Sequence, residues 1–359
     1  MLHISDAEKS TQENRVLATK PSLFVDGKIN QKYGVQFNSW FNDRFFGRDI
    51  LVDMNTLLKY NLSHRLMMRG HCINKRTKWL GGCPHVYKMF SKSELNKMVN
   101  SLEKLKIFTD KNNIKFYILI APSQGSVYGQ NIMPNYKNKN EIERIYQAIS
   151  YIKEHTNIDI VFPYNEIMDA AKDDYVFFRT DTHWTDVGAF IGYKKVLNDV
   201  KKDFKRIKIL TEDDFDYIYS NMVKVQQTNG FHKGRNYSLV GLHDNSFFNS
   251  DYKYFVHKKS YKLEVSRESH PRENYHITQL HFDDGKYNLA IFGDSFTENL
   301  EPTMPYSFKN TLKIYTYVPS NDLLAKNLNF QRFEKQVLKN KTDAIIIVFS
   351  AIDRLMYLY

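Results

Sequence analysis

A serine hydroxyl, an imidazole and a carboxylate are the parts of a nucleophilic acyl-transfer site. This chain offers them in two short stretches. The first is Gly293-Asp294-Ser295, which follows the apolar run Leu289–Phe292. That run has the length and composition of a buried strand. A strand that breaks at Gly-Asp-Ser sets a hydroxyl at the carboxyl edge of a sheet, where open α/β sheets bind ligands. A helix starting just after it would leave backbone N–H groups free, and the N–H of Ser295 is the candidate oxyanion donor. The plainer reading of the same residues is an ordinary turn capped by Asp294 or Ser295.

The second stretch is Asp181-Thr-His183-Trp184. In an extended Asp-x-His segment both side chains point the same way. The carboxylate can then hold the imidazole Nδ1–H, leaving Nε2 as a general base toward a serine. Two other readings stand beside this one. His183 could be a loop histidine bonded to Asp181, or part of a metal site, although no third and fourth ligand follow by spacing. Trp184, Arg179 and Arg354 are candidate substrate-binding residues near the pair, with packing, surface charge or a structural ion pair as their alternatives.

The elements that must position these residues read as an α/β chain with a mostly parallel central sheet. Ser91–Asp110 is the clearest helix: Ser91 and Glu94 have capping-box spacing, and Leu95, Met98, Val99, Leu102, Leu105 and Phe108 form a stripe. Lys115–Ala121 reads as a buried strand, Glu141–His155 as a helix and Asp159–Phe162 as a short strand, the order of a βαβ unit. Glu166–Lys172 reads as a helical turn, Tyr175–Phe178 as a strand, and 186–199 as a helix capped by Thr185 or Asp186. After Ser295 the pattern predicts a strand at Ile314–Val318, a helix over Leu323–Asn340 and a strand at Asp343–Phe349. Upstream, Trp40, Phe41, Phe45, Ile50 and Leu51 suit helical packing with a break at Gly47, and Arg69–Tyr87 reads as a loop or short hairpin. Residues 1–30 form an N-terminal arm; 31–359 form a single domain with a variable, lid-like insertion at about 203–286.

The chain has 359 residues, 42% apolar and 25% charged, ordinary for a globular protein. Lys and Arg number 51 against 40 Asp and Glu, a net charge of +11 that favours anionic partners such as an acidic polysaccharide. The charges are dispersed and form no arginine-rich arm, so nucleic acid is not an expected partner. No apolar run reaches the roughly 20 residues that span a bilayer. The first residues carry neither the basic nor the apolar region of a signal peptide. The two cysteines, Cys72 and Cys83, could be free thiols, a disulfide or, with His71 and His85, part of a metal site. No cofactor is implied.

Asp-Thr-His-Trp, a helix, a long variable section and then strand-Gly-Asp-Ser-Phe together resemble the SGNH-hydrolase-like polysaccharide O-acetyltransferases, most closely the alginate O-acetyltransferase type. Several other stretches are similar to that family in the same order. They are the Glu13-x-Arg15 arm ending at Pro21, Trp40–Leu51, Tyr117–Pro122 with Ser126-Val-Tyr128, and Ser350–Leu355 with its Asp353-Arg354 pair. Gln124 stands where the family often has Lys, and Asp353 where it has Glu. The resemblance implies a three-layer SGNH-like fold with the Asp-His pair before the serine, a permuted order. It implies Ser295, His183 and Asp181 as a triad that forms an acetyl-serine and passes the acetyl group to polysaccharide hydroxyls. It also implies a membrane-bound O-acyltransferase partner that supplies the acetyl group, and a place in the cell envelope, periplasmic or otherwise extracytoplasmic. A carbohydrate acetylesterase with the same triad, or a non-catalytic glycan-binding scaffold of an export complex, are the alternatives.

Overall fold

The computed structural model describes residues 9–10, 15–45, 47–62, 65–68, 71–135, 140–220, 252–270, 275–316 and 330–358. Its centre is a seven-stranded sheet. In chain order the strands used below are β1 (Arg65–Met68), β2 (His71–Asn74), β3 (Trp79–Gly82), β4 (Lys115–Ile120), β5 (Ile160–Val161), β6 (Phe215–Ser220), β7 (Tyr252–His257), β8 (Glu264–His270), β9 (Tyr275–His281), β10 (Asn288–Gly293), β11 (Asn310–Thr316) and β12 (Ala344–Phe349). The helices are α1 (Tyr33–Arg44), α2 (Arg48–Leu62), α3 (Lys92–Lys111), α4 (Gln124–Ile132), α5 (Glu141–Thr156), α6 (Tyr164–Ala170), α7 (Asp186–Asp203) and α8 (Phe330–Lys339).

The sheet runs β8-β9-β11-β10-β12-β4-β5. The five strands from β11 to β5 pair in parallel, and β8 and β9 extend one edge antiparallel. Parallel strands are buried on both faces, and the alternation of side chains shows it. Ala344, Ile346 and Val348 of β12 share a core with Phe190, Tyr193 and Val196 of α7. Ile345, Ile347 and Phe349 point the other way, into a core with Leu102 of α3, Ile152 of α5 and Phe333 of α8. The result is three layers, with helices on both sides of one sheet.

Helix α3 begins where its cap is strongest. Ser91 accepts from the Glu94 N–H, and the Glu94 carboxylate accepts from the Ser91 N–H at 2.8 Å. The stripe Leu95, Met98, Val99, Leu102 and Leu105 is buried. The strands and helices expected at 115–121, 141–155, 159–162, 186–199, 289–292 and 343–349 are all present within a few residues. The segment 175–178 differs. It makes one isolated bridge, Phe177 to Trp184, because its backbone bonds are spent in closing a loop. Arg69–Tyr87 contains the hairpin β2–β3, and Cys72 and Cys83 are joined as a disulfide, which removes the free-thiol and metal readings. Of the expected insertion, β6 and β7 pair antiparallel as a two-stranded sheet that packs Phe215 and Phe255 on Phe190 of α7, while β8 and β9 lengthen the central sheet. Residues 221–251 and 271–274 of that insertion, residues 323–329 of the expected 323–340 helix and Glu13 of the arm lie outside the described residues.

One half-buried histidine away from the sheet edge makes stability depend on pH. The His257 ring lies 4.0 Å from Tyr306 and 4.7 Å from Phe215 between centroids, and its Nε2–H donates to the Pro302 carbonyl at 2.7 Å. Its Nδ1 is buried with no hydrogen-bond partner. Burial lowers its pKa below the ordinary 6.5, against the opposing pulls of the Pro302 carbonyl and Asp214. The unfolded chain therefore binds this proton more readily, and stability rises with pH across that range. The contribution is complete above about pH 6.5 and is lost as pH falls through the folded pKa. Urea unfolding between pH 7 and pH 5 is expected to show a steeper loss for wild type than for His257→Phe.

Candidate active site

The serine turn is built from the end of β10. At Gly293 a Cβ would lie 2.1 Å from the Val348 carbonyl oxygen, so only a bare Cα lets the chain turn this close to β12. Asp294 then caps the short 3₁₀ turn Ser295–Leu300, its Oδ1 accepting from the Phe296 N–H at 3.0 Å. Its Oδ2 accepts from both the N–H and the hydroxyl of Ser350, at 2.9 and 2.8 Å. The Arg354 Nη1 also stands 2.9 Å from it. This buried carboxylate thus ties the serine turn to the end of β12. Ser295 is half-buried at the carboxyl edge of the sheet, and as the first residue of its turn its N–H has no acceptor within that turn.

The histidine arrives on the loop before α7. Phe178 N–H donates to the His183 carbonyl at 3.1 Å, and Thr185 N–H to the Val176 carbonyl at 2.9 Å, closing a narrow loop. Asp181 sits inside it, 1% exposed. Its Oδ1 accepts from the His183 N–H at 2.9 Å and lies 2.5 Å from Nδ1. A carboxylate accepts only, so Nδ1 carries the proton and Nε2 presents its lone pair. Nε2 is 2.6 Å from Ser295 Oγ. Ser295 thus meets the Asp181–His183 pair, 112 residues before it in sequence, in a continuous hydrogen-bonded chain. This geometry can pass the hydroxyl proton to the imidazole while the oxygen attacks an acyl carbon.

The three expected substrate contacts are placed differently. Trp184 is fully buried, its Nε1–H donating to the Phe296 carbonyl at 3.1 Å. It braces the histidine loop against the serine turn and leaves no face for a ligand. Arg354 is held by Asp294, the structural ion pair weighed as its alternative. Arg179 is part of the loop's anchorage: its guanidinium donates to the Thr77 carbonyl and its N–H to the Tyr252 hydroxyl. The sequence reading offers Asp294 only as a turn cap, which it is, and does not foresee its bonds to Ser350. The available signal was a Gly-Asp-Ser turn and a Ser–Asp–Arg segment at the ends of two apolar strands, which neighbour each other only once the sheet order is known.

Among the described residues no group of three or more His, Cys, Asp or Glu could hold a metal ion. A polar groove of about 610 Å³, lined by Asn288, Asn310, His281 and Lys341 among others, lies at the start of β10 and β11, the far end of the sheet from Ser295.

With this geometry in place, the chain can be compared with known proteins. A family model described as SGNH hydrolase-like domain, acetyltransferase AlgX, matches residues 85–316, most of the chain and all three residues of the hydrogen-bonded chain. A comparison with curated proteins finds no match. Among solved structures, Bacillus cereus PatB1 with a sulfonyl adduct is 13% identical with a TM-score of 0.56, covering 80% of this chain and 97% of that one. A DHHW family protein from Eubacterium siraeum is 12% identical with a TM-score of 0.50, covering 82% and 94%. The O-acetyltransferase domain of Pseudomonas putida AlgJ is 14% identical with a TM-score of 0.48, covering 78% and 90%. At such identities the first two likenesses speak to the fold, which is shared over 80% and 82% of this chain. The family match speaks to the chemistry: the chain belongs to the SGNH hydrolase-like acetyltransferases of the AlgX type and is an SGNH-type O-acetyltransferase.

Proposed function

We propose that this enzyme moves an acetyl group through an acetyl-serine on Ser295 to hydroxyls of a bacterial cell-surface or exported polysaccharide. The observation that carries the reading is the 2.6 Å contact between His183 Nε2 and Ser295 Oγ, with Asp181 behind the imidazole. His183 takes the Ser295 proton as Oγ attacks the acetyl carbonyl. The tetrahedral oxyanion is met by the Ser295 N–H. Collapse expels the donor's leaving group, protonated by His183, and leaves acetyl-serine. A sugar hydroxyl then gives its proton to His183, attacks the acetyl carbon, and Ser295 leaves with the proton returned.

The net charge of +11 favours an acidic acceptor. The Cys72–Cys83 disulfide fits an oxidising, extracytoplasmic compartment of the cell envelope. No helix of the described residues is long and apolar enough to cross a membrane. The acetyl group is taken to come from a separate membrane-bound O-acyltransferase, as the family resemblance implies. We treat residues 31–359 as one catalytic domain and 1–30 as an arm.

Whether sugar or water accepts the acetyl group distinguishes a transferase from an esterase using the same triad. The enzyme is supplied with an activated acetyl ester and increasing uronate polysaccharide, with a neutral glycan alongside. Acetylated uronate polymer should rise as free acetate falls. Acetate alone at every glycan concentration would instead mark a carbohydrate esterase.

A further inference from the structure

Helix α4 reaches the histidine loop from outside the triad. Gln124 opens α4 and Tyr128 sits at its kink, and both side chains reach the backbone of the histidine loop. The Tyr128 hydroxyl accepts from the Val176 N–H and donates to the Asp174 carbonyl, both at 3.2 Å. Gln124, 3% exposed, donates through Nε2 to the Phe178 carbonyl at 2.7 Å and to the Asp181 carbonyl at 3.0 Å. Helix α4 thus grips the backbone of 174–181 at both ends, and the Gln124 end includes Asp181, the residue that carries the triad carboxylate.

The Gln124 amide spends both its hydrogens on these two carbonyls, while its Oε1 is buried with no partner. A buried polar atom left unpaired in a folded protein calls for a reason. Here the reason is directional. Turning the amide over would set Oε1 against two carbonyl oxygens, so a single orientation remains. The hairpin β2–β3 closes the other side. A Cβ at Gly81 would lie 2.3 Å from Gln124 Oε1 and 2.4 Å from Ile132 Cδ1. The same hairpin donates Leu80 N–H to the Arg179 carbonyl at 2.8 Å, and is joined across its ends by Cys72–Cys83. Asn74 ties it to α4 through the Asn131 carbonyl at 3.0 Å.

We propose that Gln124 is a positioning residue of the acyl-transfer site: through the Phe178 and Asp181 carbonyls it sets the Asp181–His183 pair over Ser295, and the disulfide-closed hairpin holds its amide in place. The proposal rests on the acetyl-serine reading for its kinetic consequence, and on geometry alone for its effect on the imidazole.

The test uses Gln124→Met, which keeps length and removes both donors, and two readouts. The first is the downfield proton resonance of the His183 Nδ1–H bonded to Asp181, assigned by its absence in His183→Ala. The second is the rate of acetyl-serine formation. The resonance should shift or vanish in Gln124→Met. The maximal acylation rate should fall by about 100-fold, as expected for a displacement near 1 Å, with KM for the donor little changed. Cys72→Ala with Cys83→Ala should give a similar but smaller defect. Combined with Gln124→Met, it should cost less than the product of the two effects, since both act through one contact. If Gln124→Met does not fold, Gly81→Ala pushes on the same amide and should move the same resonance.

An unchanged resonance with an unchanged maximal rate overturns the proposal. Defects that multiply independently overturn the part given to the hairpin. If wild type forms no acetyl-serine, the acyl-transfer reading fails. The resonance in Gln124→Met then still decides whether Gln124 sets the imidazole.

Discussion

Asp181→Asn is expected to leave a folded protein that forms acetyl-serine about 10,000-fold more slowly than wild type, by analogy with the same exchange in serine hydrolases. The cause is the tautomer. Asp181 Oδ1 faces the His183 Nδ1 at 2.5 Å and also receives the His183 N–H at 2.9 Å. A carboxylate forces the proton onto Nδ1. An amide that turns its NH₂ toward the ring forces the proton onto Nε2 instead, and a protonated Nε2 cannot accept from Ser295 Oγ. His183→Ala should fall at least as far, since it removes the base itself. Rapid-quench measurement of the maximal acylation rate separates these effects from donor binding. An Asp181→Asn rate within tenfold of wild type would mean that the carboxylate does not govern the ring.

Asp294→Ala is expected to cost stability, about 3–5 kcal/mol, because it breaks a buried ion pair from one side and leaves a charge uncompensated. Asp294 is 4% exposed, and its Oδ2 is shared by the Ser350 N–H, the Ser350 hydroxyl and the Arg354 guanidinium. Loss of the carboxylate also frees the Phe296 N–H and loosens the turn that carries Ser295. The midpoint of urea unfolding should drop with its slope unchanged. Asp294→Asn should lose less, since its carbonyl can still accept. Adding Arg354→Met to Asp294→Ala should recover part of the loss, the sign of a coupled pair. If the two effects simply add, Arg354 is not the partner that makes Asp294 costly to remove.

Much of the molecule was legible from the sequence for reasons these residues make plain. Helix α3 announced itself through a cap, a capping partner and an apolar stripe in one continuous segment. Strands β10 and β12 did so through apolar runs bounded by turn residues. The hydrogen-bonded meeting of Ser295, His183 and Asp181 was legible because Asp-x-His and Gly-Asp-Ser are local patterns, each lying between a strand-like run and a helix start. What stayed hidden depends on contacts between distant segments. Tyr175–Phe178 has strand composition, yet its backbone closes a loop around Asp181. Arg354 and Trp184 have the side chains of ligand-binding residues, but the sheet order brings Asp294 beside the one and Phe296 beside the other. Gln124 stood out in sequence only as a departure from the expected Lys. Its partners are backbone carbonyls, which carry no sequence signal.

The most direct test of the central claim is intact-mass spectrometry of wild type and Ser295→Ala after brief incubation with an activated acetyl ester. The account predicts that wild type gains the mass of one acetyl group, that peptide mapping places it on Ser295, and that Ser295→Ala gains nothing. An acetyl group found elsewhere, or equal labelling of the folded Ser295→Ala protein, would contradict it.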